Sequence, residues 1–509
     1  MSERLPVRRA LVSVSDKDGL DALARGLAGA GVALVSSGST AEAIRKAGFE
    51  VTDVAEVTGV PELLGGRVKT LHPAIHAGIL ADRTKSEHLD ELREHGIEPF
   101  DLVVANLYPF ERAAIGGTDD EVVEEIDIGG PTLVRAAAKN HRSVAVAVSP
   151  ARYEEILRAV VDGGTTLELR ARLAEEAFAH VATYDAAIAA WFRGRGDGFT
   201  PSLTVGLERI ATLRYGENPH QAAALYREVL TPGPLGGAEV LQGKEMSFNN
   251  WLDAEAAREL AWSLDESAAV IVKHTNPCGA AVADTLQAAY RGALASDPVS
   301  AFGGVVAFNA EVDGPTAQAM SEVFIEVVAA SGFTPEAREA FESRSNLRLL
   351  RAPRPGAAGP EVRPIEGGAL VQEPDPVDEP TKSFTVAGRR EPETGEWDDL
   401  LLAWRVAARV RSNAIVLASR RATVGIGAGQ MSRVDAVDIA CRKAGPRATG
   451  AVMASDAFFP FRDGIDRAAE AGVRAVIHPG GSVRDREVLD AADEHGMAVV
   501  LTGTRHFRH

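Results

Sequence analysis

Short apolar runs that alternate with helical patterns constrain the fold of the first part of this chain more than any other feature. Runs typical of buried strands lie at Arg9–Val14, Val32–Ser37, Asp101–Tyr108 and Ser143–Val148. Between the first two runs, Gly19–Ala30 places leucines at helical spacing, and a second helical pattern covers Thr40–Gly48. Strands that alternate with helices form a parallel sheet covered on both faces. The sequence therefore predicts an α/β fold for this part.

Polar residues follow the strands of this predicted sheet. The segments concerned are Ser13–Lys17, Ser36–Thr40, Asn106–Tyr108 and Asp127–Thr132. Ligands of parallel sheets bind at the carboxyl ends of the strands, where such loops meet. A helix N-terminus with hydroxyl donors, as at Ser36–Thr40, suits a phosphate group. Taken alone, Thr40 and Asp127 also fit plain helix caps.

A basic, glycine-rich segment, Gly65–Leu80 (GGRVKTLHPAIHAGIL), adds two cations, Arg67 and Lys69. Glycines allow close backbone approach and cations supply countercharge, so the segment predicts a loop around an anionic ligand; a basic surface loop is the alternative. His72 and His76 have a metal-like spacing. Because Pro73 follows His72 and no acidic residue lies between the histidines, packing or hydrogen bonding is favoured over zinc.

Composition excludes several classes of protein. A chain of 509 residues is too long for one core, and 45% apolar with 25% charged residues is typical of soluble globular proteins. A net charge of −18 argues against nucleic acid as a partner. No apolar run approaches the roughly 20 residues of a membrane helix, and we expect no signal peptide. Only two cysteines occur, Cys278 and Cys441, far apart and without metal-type spacing. So few cysteines favour a reducing cytoplasm.

The second part of the chain repeats the strand–helix alternation twice. Ala268–Thr275 begins one unit, and Ala414–Ala418 with Thr423–Gly427 begins another, which predicts two similar α/β lobes rather than one large sheet. Glycine- and proline-rich text at Gly194–Pro201 predicts a domain boundary. We therefore expect a first domain at 1–200, with its core at about 1–150, and a second at 201–509 whose lobes are connected at about 350–400.

The end of the Ala268–Thr275 strand carries the chemistry of the second part. Lys273 and His274 lie side by side there, before an Asn276–Pro277 turn and Gly279. A lone histidine at such a place is usually a core residue, but the adjacent cation and turn favour a site. Glycines at 425, 427 and 429 give G-x-G-x-G, which does not fit a dinucleotide fingerprint.

Motifs along nearly the whole chain resemble a known family. The motifs are GGRVKTLHPAIHAGIL, NLYPF, IDIGG, RAAAKNH, LRYGENPHQ, KHTNPCGA, GIGAGQMSR and SDAFFPFRD. They are similar to the bifunctional purine-biosynthesis family that joins phosphoribosylaminoimidazolecarboxamide formyltransferase to IMP cyclohydrolase. The resemblance implies an N-terminal methylglyoxal-synthase-like parallel-sheet domain and a C-terminal two-lobed cytidine-deaminase-like α/β region. The zinc motif of deaminases is absent, since Pro277-Cys278 lacks the second cysteine of P-C-x-x-C.

For ring closure, the resemblance implies two sets of residues in the first domain. The nucleotide phosphate and ribose are assigned to Ser15, Lys17, Ser37, Gly38, Thr40, Arg67 and Thr70. The reacting base is assigned to Lys69, Asn106, Tyr108, Asp127, Gly129, Gly130 and Lys139. Lys139 shares a helix face with Arg135, four residues earlier. A lysine among other cations has a lowered pKa, which would suit Lys69 or Lys139 to proton transfer.

For formyl transfer, the resemblance implies that His274 takes the proton of the nucleophile and Lys273 protonates the leaving folate nitrogen. It implies Asn413 at the formyl oxygen. Nucleotide binding is assigned to Arg214, Tyr215 and Arg505, and ring stacking to Phe458. The co-substrate is 10-formyltetrahydrofolate, no metal is expected, and the partners are nucleotide and folate substrates. The family further implies a cytoplasmic homodimer with transferase sites at the subunit interface and a C-terminal Arg505–His509 tail folded into the site.

Two positions depart from the family pattern. Ser39 replaces a glycine and would be strained if its φ were positive, and Arg411 replaces a lysine. Two rival functions remain open: a lyase of methylglyoxal-synthase type, and a nucleotide-sensing module without catalysis.

Overall fold

The computed structural model describes residues 4–194, 198–230, 233, 235–356 and 359–509. The chain divides into two compact units, Met1–Glu208 with Glu228–Thr231 and Arg209–Arg227 with Pro232–His509. Residues 195–197 of the predicted boundary lie outside the described residues. In the part of the chain described, no helix is both long and apolar enough to cross a membrane.

The first unit is built on a five-stranded parallel sheet in the order β3-β2-β1-β4-β5. Its strands are β1 (Arg9–Ser13), β2 (Ala33–Ser36), β3 (Thr52–Asp53), β4 (Leu102–Ala105) and β5 (Ala145–Ala147). The apolar runs of the sequence predicted all of these except β3, whose two residues are too short and polar to give a strand signal. The parallel sheet is confirmed.

Helices cover this sheet. They are α1 (Leu20–Gly29), α2 (Gly38–Lys46), α3 (Val54–Thr58), α4 (Pro73–Leu80), α5 (Ser86–Glu94), α6 (Phe110–Ala114), α7 (Asp119–Glu124), α8 (Gly129–Lys139), α9 (Tyr153–Val161) and α10 (Leu167–Arg193). The leucines at helical spacing in α1, Leu20, Leu23 and Leu27, are buried in one core with the strands. Burial of an apolar stripe holds a helix such as α1 to the sheet. The short helices α6 and α7 pack instead with α10 in a separate apolar cluster.

A two-stranded ribbon, β6 (Leu207–Leu213) and β7 (Ala223–Glu228), follows along the chain. The second unit then contains a 12-stranded sheet. Its strands are β8 (Glu239–Gln242), β9 (Ser267–Lys273), β10 (Asn276–Ala283), β11 (Gly304–Phe308), β12 (Ile325–Ala330), β13 (Arg348–Arg351), β16 (Thr385–Ala387), β17 (Ile415–Ser419), β18 (Ala422–Gly427), β19 (Val452–Ser455), β20 (Ala475–His478) and β21 (Ala498–Leu501). A separate hairpin, β14 (Glu361–Ile365) and β15 (Gly368–Gln372), lies in the connection between the lobes.

The helices of the second unit lie between these strands. They are α11 (Phe248–Trp262), α12 (Leu286–Ser296), α13 (Pro298–Ala301), α14 (Gly314–Ala319), α15 (Pro335–Glu342), α16 (Thr394–Ala407), α17 (Arg433–Ala444), α18 (Asp463–Glu470) and α19 (Asp485–Glu494). The helix α16 is followed directly by the second lobe's first hairpin. The connection at about 350–400 stays a prediction.

The second unit contains the same arrangement twice. The sheet order is β8-β13-β12-β11-β9-β10 in one half and β18-β17-β19-β20-β21-β16 in the other, each half having a helix, an antiparallel hairpin and then parallel strands. The predicted pair of similar lobes is therefore present. The expectation that they would not form one large sheet is wrong, because β10 pairs with β18 at Ala281 and Ala422 and joins both halves.

Candidate active sites

The first candidate site lies at the carboxyl ends of β1, β2 and β4 in the first unit. The chain proceeds from β1 to one side of the sheet and later returns to the other side with β4, so a crevice opens between these two strands. Asn106 after β4 bridges this crevice. Its Oδ1 accepts the N–H groups of Ser15 and Asp16 at 2.5 and 3.0 Å, and its Nδ2 donates to the Asp16 carbonyl at 3.1 Å.

Lys17 and Thr40 form the floor of this crevice. The Lys17 ammonium donates to the Val14 carbonyl and to Thr40 Oγ1, the latter at 2.9 Å, and the buried Thr40 hydroxyl donates to the Val14 carbonyl at 2.9 Å. Burial lowers the pKa of Lys17, and Asp16 partly offsets this. Two of the residues predicted to hold the phosphate and ribose, Lys17 and Thr40, therefore lie together.

The N-terminus of α2 faces the basic loop. Ser37 is the N-cap residue, and its hydroxyl makes no capping hydrogen bond. Gly38 has φ 54°, whereas Ser39 lies in the first helical turn without a positive φ, so the departure from glycine at position 39 causes no backbone strain. A Cβ on Gly38 would lie 3.2 Å from the Lys69 ammonium, which shows how closely the loop approaches this helix end.

Anions partner the cations of the basic loop. Lys69 Nζ lies 3.1 Å from the Glu62 carboxylate, so this ammonium has an anion beside it as well as the cations of the loop. Gly66 has φ 98°, a conformation that favours glycine, and a Cβ there would come within 2.8 Å of Lys69 Cε. The largely exposed Arg67 pairs with Glu124 rather than facing the crevice unpaired.

Asp127 lies at the start of α8, beside Thr70. Its Oδ1 accepts the Gly130 N–H at 2.8 Å, and its own N–H donates to the Tyr184 hydroxyl at 2.8 Å. Burial raises the pKa of the Asp127 carboxyl, against backbone hydrogen bonds from Gly130, Tyr108 and Gly129 that lower it. A Cβ on Gly129 would lie 3.3 Å from Thr70 Oγ1, so these predicted residues are neighbours.

Lys139 lies at the other end of α8. This helix has 11 residues and is therefore about 16 Å long, so the structure does not bring Lys139 to Asp127 within one chain. As predicted, Arg135 shares a face with Lys139; together with His76 and Phe178 both line a cavity of about 670 Å³.

The two histidines of the basic segment have different environments. His72 is the N-cap residue of α4, where its Nδ1 accepts the Ala74 N–H at 3.2 Å, so the predicted hydrogen-bonding role is confirmed for this histidine. Burial lowers the pKa of His76, and no hydrogen-bond partner of its Nε2 lies among the residues that the structure describes.

The second candidate site surrounds the β9–β10 hairpin of the second unit. The sequence predicted a turn at Asn276–Pro277, but these residues begin β10, and the turn consists of His274 and Thr275 with φ of 54° and 60°. Two successive left-handed residues make a type I′ turn, which sequences usually mark with Asn-Gly. The turn was misplaced because this chain uses bulky residues there.

Other predicted site segments contact this hairpin. The Arg411 N–H donates to Asn276 Oδ1 at 3.0 Å, and Arg411 Nε donates to Thr275 Oγ1 at 3.4 Å, so the change from lysine to arginine at 411 keeps a donor at the turn. The C-terminal tail packs behind the same loop, since the Ser412 N–H donates to the Arg508 carbonyl at 2.9 Å. The tail therefore packs against the loop at Ser412, and its entry into the site stays a prediction.

A network of polar contacts holds the half-buried Asn413 side chain. Its amide donates to the Gln430 and Met431 carbonyls at 2.8 and 3.1 Å, and its Oδ1 accepts from Arg433 at 2.7 Å. Arg433 in turn pairs with the fully buried Asp456 at 2.5 Å. Both amide donors of Asn413 are therefore occupied in this structure. Arg433 and Asp456 lie within quoted motifs, but no pattern in the sequence showed that they would pair.

A cavity of about 460 Å³ opens at the hairpin, lined among others by Lys273, His274 and Ser300. The Lys273 ammonium donates to the Phe302 carbonyl. Other predicted residues lie at the surface. Exposed Arg214 stacks over the ring of Tyr215 at 5.6 Å, exposed Arg505 stacks over Phe507 at 4.6 Å, and Phe458 is 37% exposed. No hydrogen bond or ion pair among the described residues joins Arg214 to the hairpin.

The C-terminal tail is anchored by His506, which is 2% exposed. Its ring Nδ1 lies 2.7 Å from the Asp375 carboxylate, and its ring Nε2 lies 2.5 Å from the Glu379 carboxylate. Its backbone N–H donates to the Asp456 carbonyl. Burial lowers the pKa of His506, but hydrogen bonds and charge from Asp375 and Glu379 outweigh it and raise the pKa overall. Sequence reasoning missed this contact because its three residues lie far apart in the chain.

We expect stability to depend on pH through His506. A raised folded-state pKa contributes stability that is fully present below the unfolded value of about 6.5 and is lost as the pH rises through the folded value. Replacing His506→Gln should cost on the order of 1–3 kcal/mol at about pH 6 and less at higher pH. Thermal unfolding of both proteins between about pH 6 and pH 9 measures this, with exposed His220→Gln as control. A difference that grows with pH would contradict the assignment.

No group of three or more His, Cys, Asp or Glu side chains gathers as metal ligands would, as far as the described residues show. The free cysteines are also unsuited to reactivity, because burial raises the pKa of Cys278 to about 12 and that of Cys441 to about 11.

Comparison with known proteins identifies the family. The model for the AICARFT/IMPCHase bienzyme matches residues 137–443, and that for the MGS-like domain matches residues 19–132. Proteins called bifunctional purine biosynthesis protein PurH are similar over the whole chain. The one from Roseobacter denitrificans is 50% identical, with 100% of both chains covered, and the one from Magnetococcus marinus is 50% identical, with 99% of both covered. The chain therefore belongs to the AICARFT/IMPCHase bienzyme family.

Proposed function

We propose that this protein transfers a formyl group from 10-formyltetrahydrofolate to the amine of the aminoimidazole carboxamide ribotide and then closes the ring to IMP. Family membership and full-length similarity to proteins named for purine biosynthesis support both reactions. The observation that carries the proposal is the presence of two different polar sites in two units of one chain.

Ring closure is assigned to the first unit. The carboxamide nitrogen attacks the formyl carbon and loses one proton, while the formyl oxygen gains one and becomes a hydroxyl. That hydroxyl takes a second proton and leaves as water, and the formamide nitrogen loses its proton as the C=N bond forms. Lys69 lies at the N-terminus of α2 and Asp127 at that of α8, and the N–H groups of helix N-termini favour an anionic ligand. The raised pKa of Asp127 suits a carboxyl group that exchanges protons.

Formyl transfer is assigned to the second unit. The substrate amine attacks the formyl carbon, and the bond from that carbon to the folate nitrogen breaks. His274 would accept the proton lost by the amine and Lys273 would supply one to the leaving nitrogen, since both line the same cavity. Because the amine is a poor nucleophile, alignment of the two substrates carries much of the rate. Arg214, Tyr215, Phe458 and Arg505 stay proposed nucleotide contacts.

The same proposal includes a domain division at about residue 200 and a cytoplasmic location. It also includes a homodimer with transferase sites at the subunit interface. The distance between Lys139 and Asp127 within one chain is compatible with a site that a second copy completes, as is exposure of the Arg214 and Arg505 side chains.

The experiment uses the full-length protein with the ribotide and 10-formyltetrahydrofolate. We expect tetrahydrofolate and IMP to appear together, and we expect the formylated ribotide to close without folate. Formation of methylglyoxal from dihydroxyacetone phosphate would instead support the lyase alternative. Tight nucleotide binding without any turnover would support the sensing module.

A further inference from the structure

The β9–β10 turn that carries His274 is held by a carboxylate outside the motifs of the family. Asp253 on α11 accepts the Thr275 N–H at 2.6 Å and also the His274 N–H. Both turn residues have left-handed φ, which side chains with a Cβ rarely adopt, and Thr275 is β-branched as well. A conformation of this kind persists only where surrounding contacts hold it.

The second lobe contains the same arrangement, a helix carboxylate that holds a left-handed hairpin turn, but that turn carries no predicted site residue. Asp399 is the sixth residue of α16, as Asp253 is of α11. It accepts the N–H groups of Arg420 and Arg421 at 2.9 and 2.5 Å. Those residues form the two-residue turn between β17 and β18, with φ of 54° and 63°.

The two turns differ in what their side chains contact. Arg421 pairs with Glu266 and, at 3.7 Å, with Asp284, so the second turn is an ion-paired structural element. In the first turn, His274 lines the cavity of about 460 Å³ next to Lys273. Asp399 therefore holds a turn that has only a structural role, whereas Asp253 holds the turn that carries the candidate catalytic groups.

We propose that Asp253 is a positioning residue for formyl transfer, which fixes the left-handed turn so that Lys273 and His274 keep their direction into the cavity. The inference rests on the proposed function of the second unit. Asp253 acts through the backbone of the turn, and no contact of its side chain with substrate is required. Small displacements of aligned groups are costly in a reaction that depends on alignment.

The test compares two isosteric variants of the full-length protein, Asp253→Asn and Asp399→Asn. Each replaces one carboxylate oxygen by an amide that cannot accept a hydrogen bond, at the same helix position. We expect Asp253→Asn to lower kcat for formyl transfer roughly 10- to 100-fold, with little change in KM for the ribotide and normal ring closure. Asp399→Asn should keep kcat within about twofold of the wild-type value. Its loss of thermal stability should be similar to that of Asp253→Asn.

Equal effects of both variants on kcat and on the unfolding temperature would show a purely structural role and overturn the proposal. A KM increase at unchanged kcat in Asp253→Asn would also overturn it, since that result indicates a binding contact. Wild-type protein without any formyl transfer would instead refute the proposed function itself, so the two failures are distinguishable. If Asp253→Asn does not fold, Asp253→Glu, which keeps both acceptor oxygens but moves them, should fold and show a kcat for formyl transfer below that of the wild type. A wild-type kcat in Asp253→Glu would then overturn the proposal.

Discussion

His274→Ala should abolish formyl transfer while ring closure stays intact. An imidazole can exchange protons near neutral pH, and the loss of general acid–base catalysis costs about 10²–10⁴ in rate. His274 lines the cavity beside Lys273 at the end of β9, whereas the residues assigned to ring closure belong to the first unit. The measurement is the initial rate of tetrahydrofolate release and, separately, of closure of the formylated ribotide on the same preparation.

A second histidine of the same unit provides the control. His495 lies at the end of α19, with its Nε2 at 2.8 Å from Asp466, and it is not part of the proposed site. His495→Ala should therefore transfer formyl at the wild-type rate. Near-normal transfer in His274→Ala would remove the residue from the mechanism. Weakened ribotide binding with normal turnover at saturation would make His274 a binding residue.

Lys69→Ala should have the opposite selectivity. If the Lys69 ammonium stabilises the developing oxyanion or moves a proton, ring closure should fall by about 10²–10³, with formyl transfer unchanged. Its position between Gly38 and Gly66 at the N-terminus of α2 places it where the nucleotide is expected. Closure of the formylated ribotide, followed by the absorbance of IMP, measures the effect.

Exposed Lys46, at the other end of α2, is the matched control for this prediction, and Lys46→Ala should close the ring normally. Removing Lys69 also leaves Glu62 without its partner, so the double variant Lys69→Ala with Glu62→Gln separates this effect from the loss of the ammonium. Recovery of closure in the double variant would assign the defect to the unpaired Glu62 carboxylate.

Sequence reasoning located the strands of the first unit because a buried parallel strand is an unbroken apolar run, as in β1 and β4. It also placed the loops of the crevice, since loops after parallel strands meet at one edge of the sheet. It did not reveal that Ala281 pairs with Ala422, because no local pattern specifies pairing between strands so distant along the chain. The single large sheet of the second unit was missed for this reason.

The candidate sites could be predicted only in part, because local motifs are visible in the sequence and contacts between distant elements are not. Residues within compact motifs, such as Lys273 with His274, were recognised together. Partners that arrive from other elements were not: Asp253 carries no motif, Glu62 precedes the basic loop, and His506 meets Asp375 only after the chain has folded. The His274–Thr275 turn was placed two residues too late because it lacks the Asn-Gly signal on which turn prediction relies.

The division of two reactions between two units is tested most directly by mixing variants. Full-length Lys69→Ala and His274→Ala are each supplied with the ribotide and 10-formyltetrahydrofolate, first alone and then together. Alone, the first should accumulate the formylated ribotide and the second should leave the ribotide unchanged. Mixed, they should form IMP, because the intermediate released by one protein is closed by the other. A mixture that forms no IMP, although each variant keeps its remaining activity when assayed separately, would contradict the account.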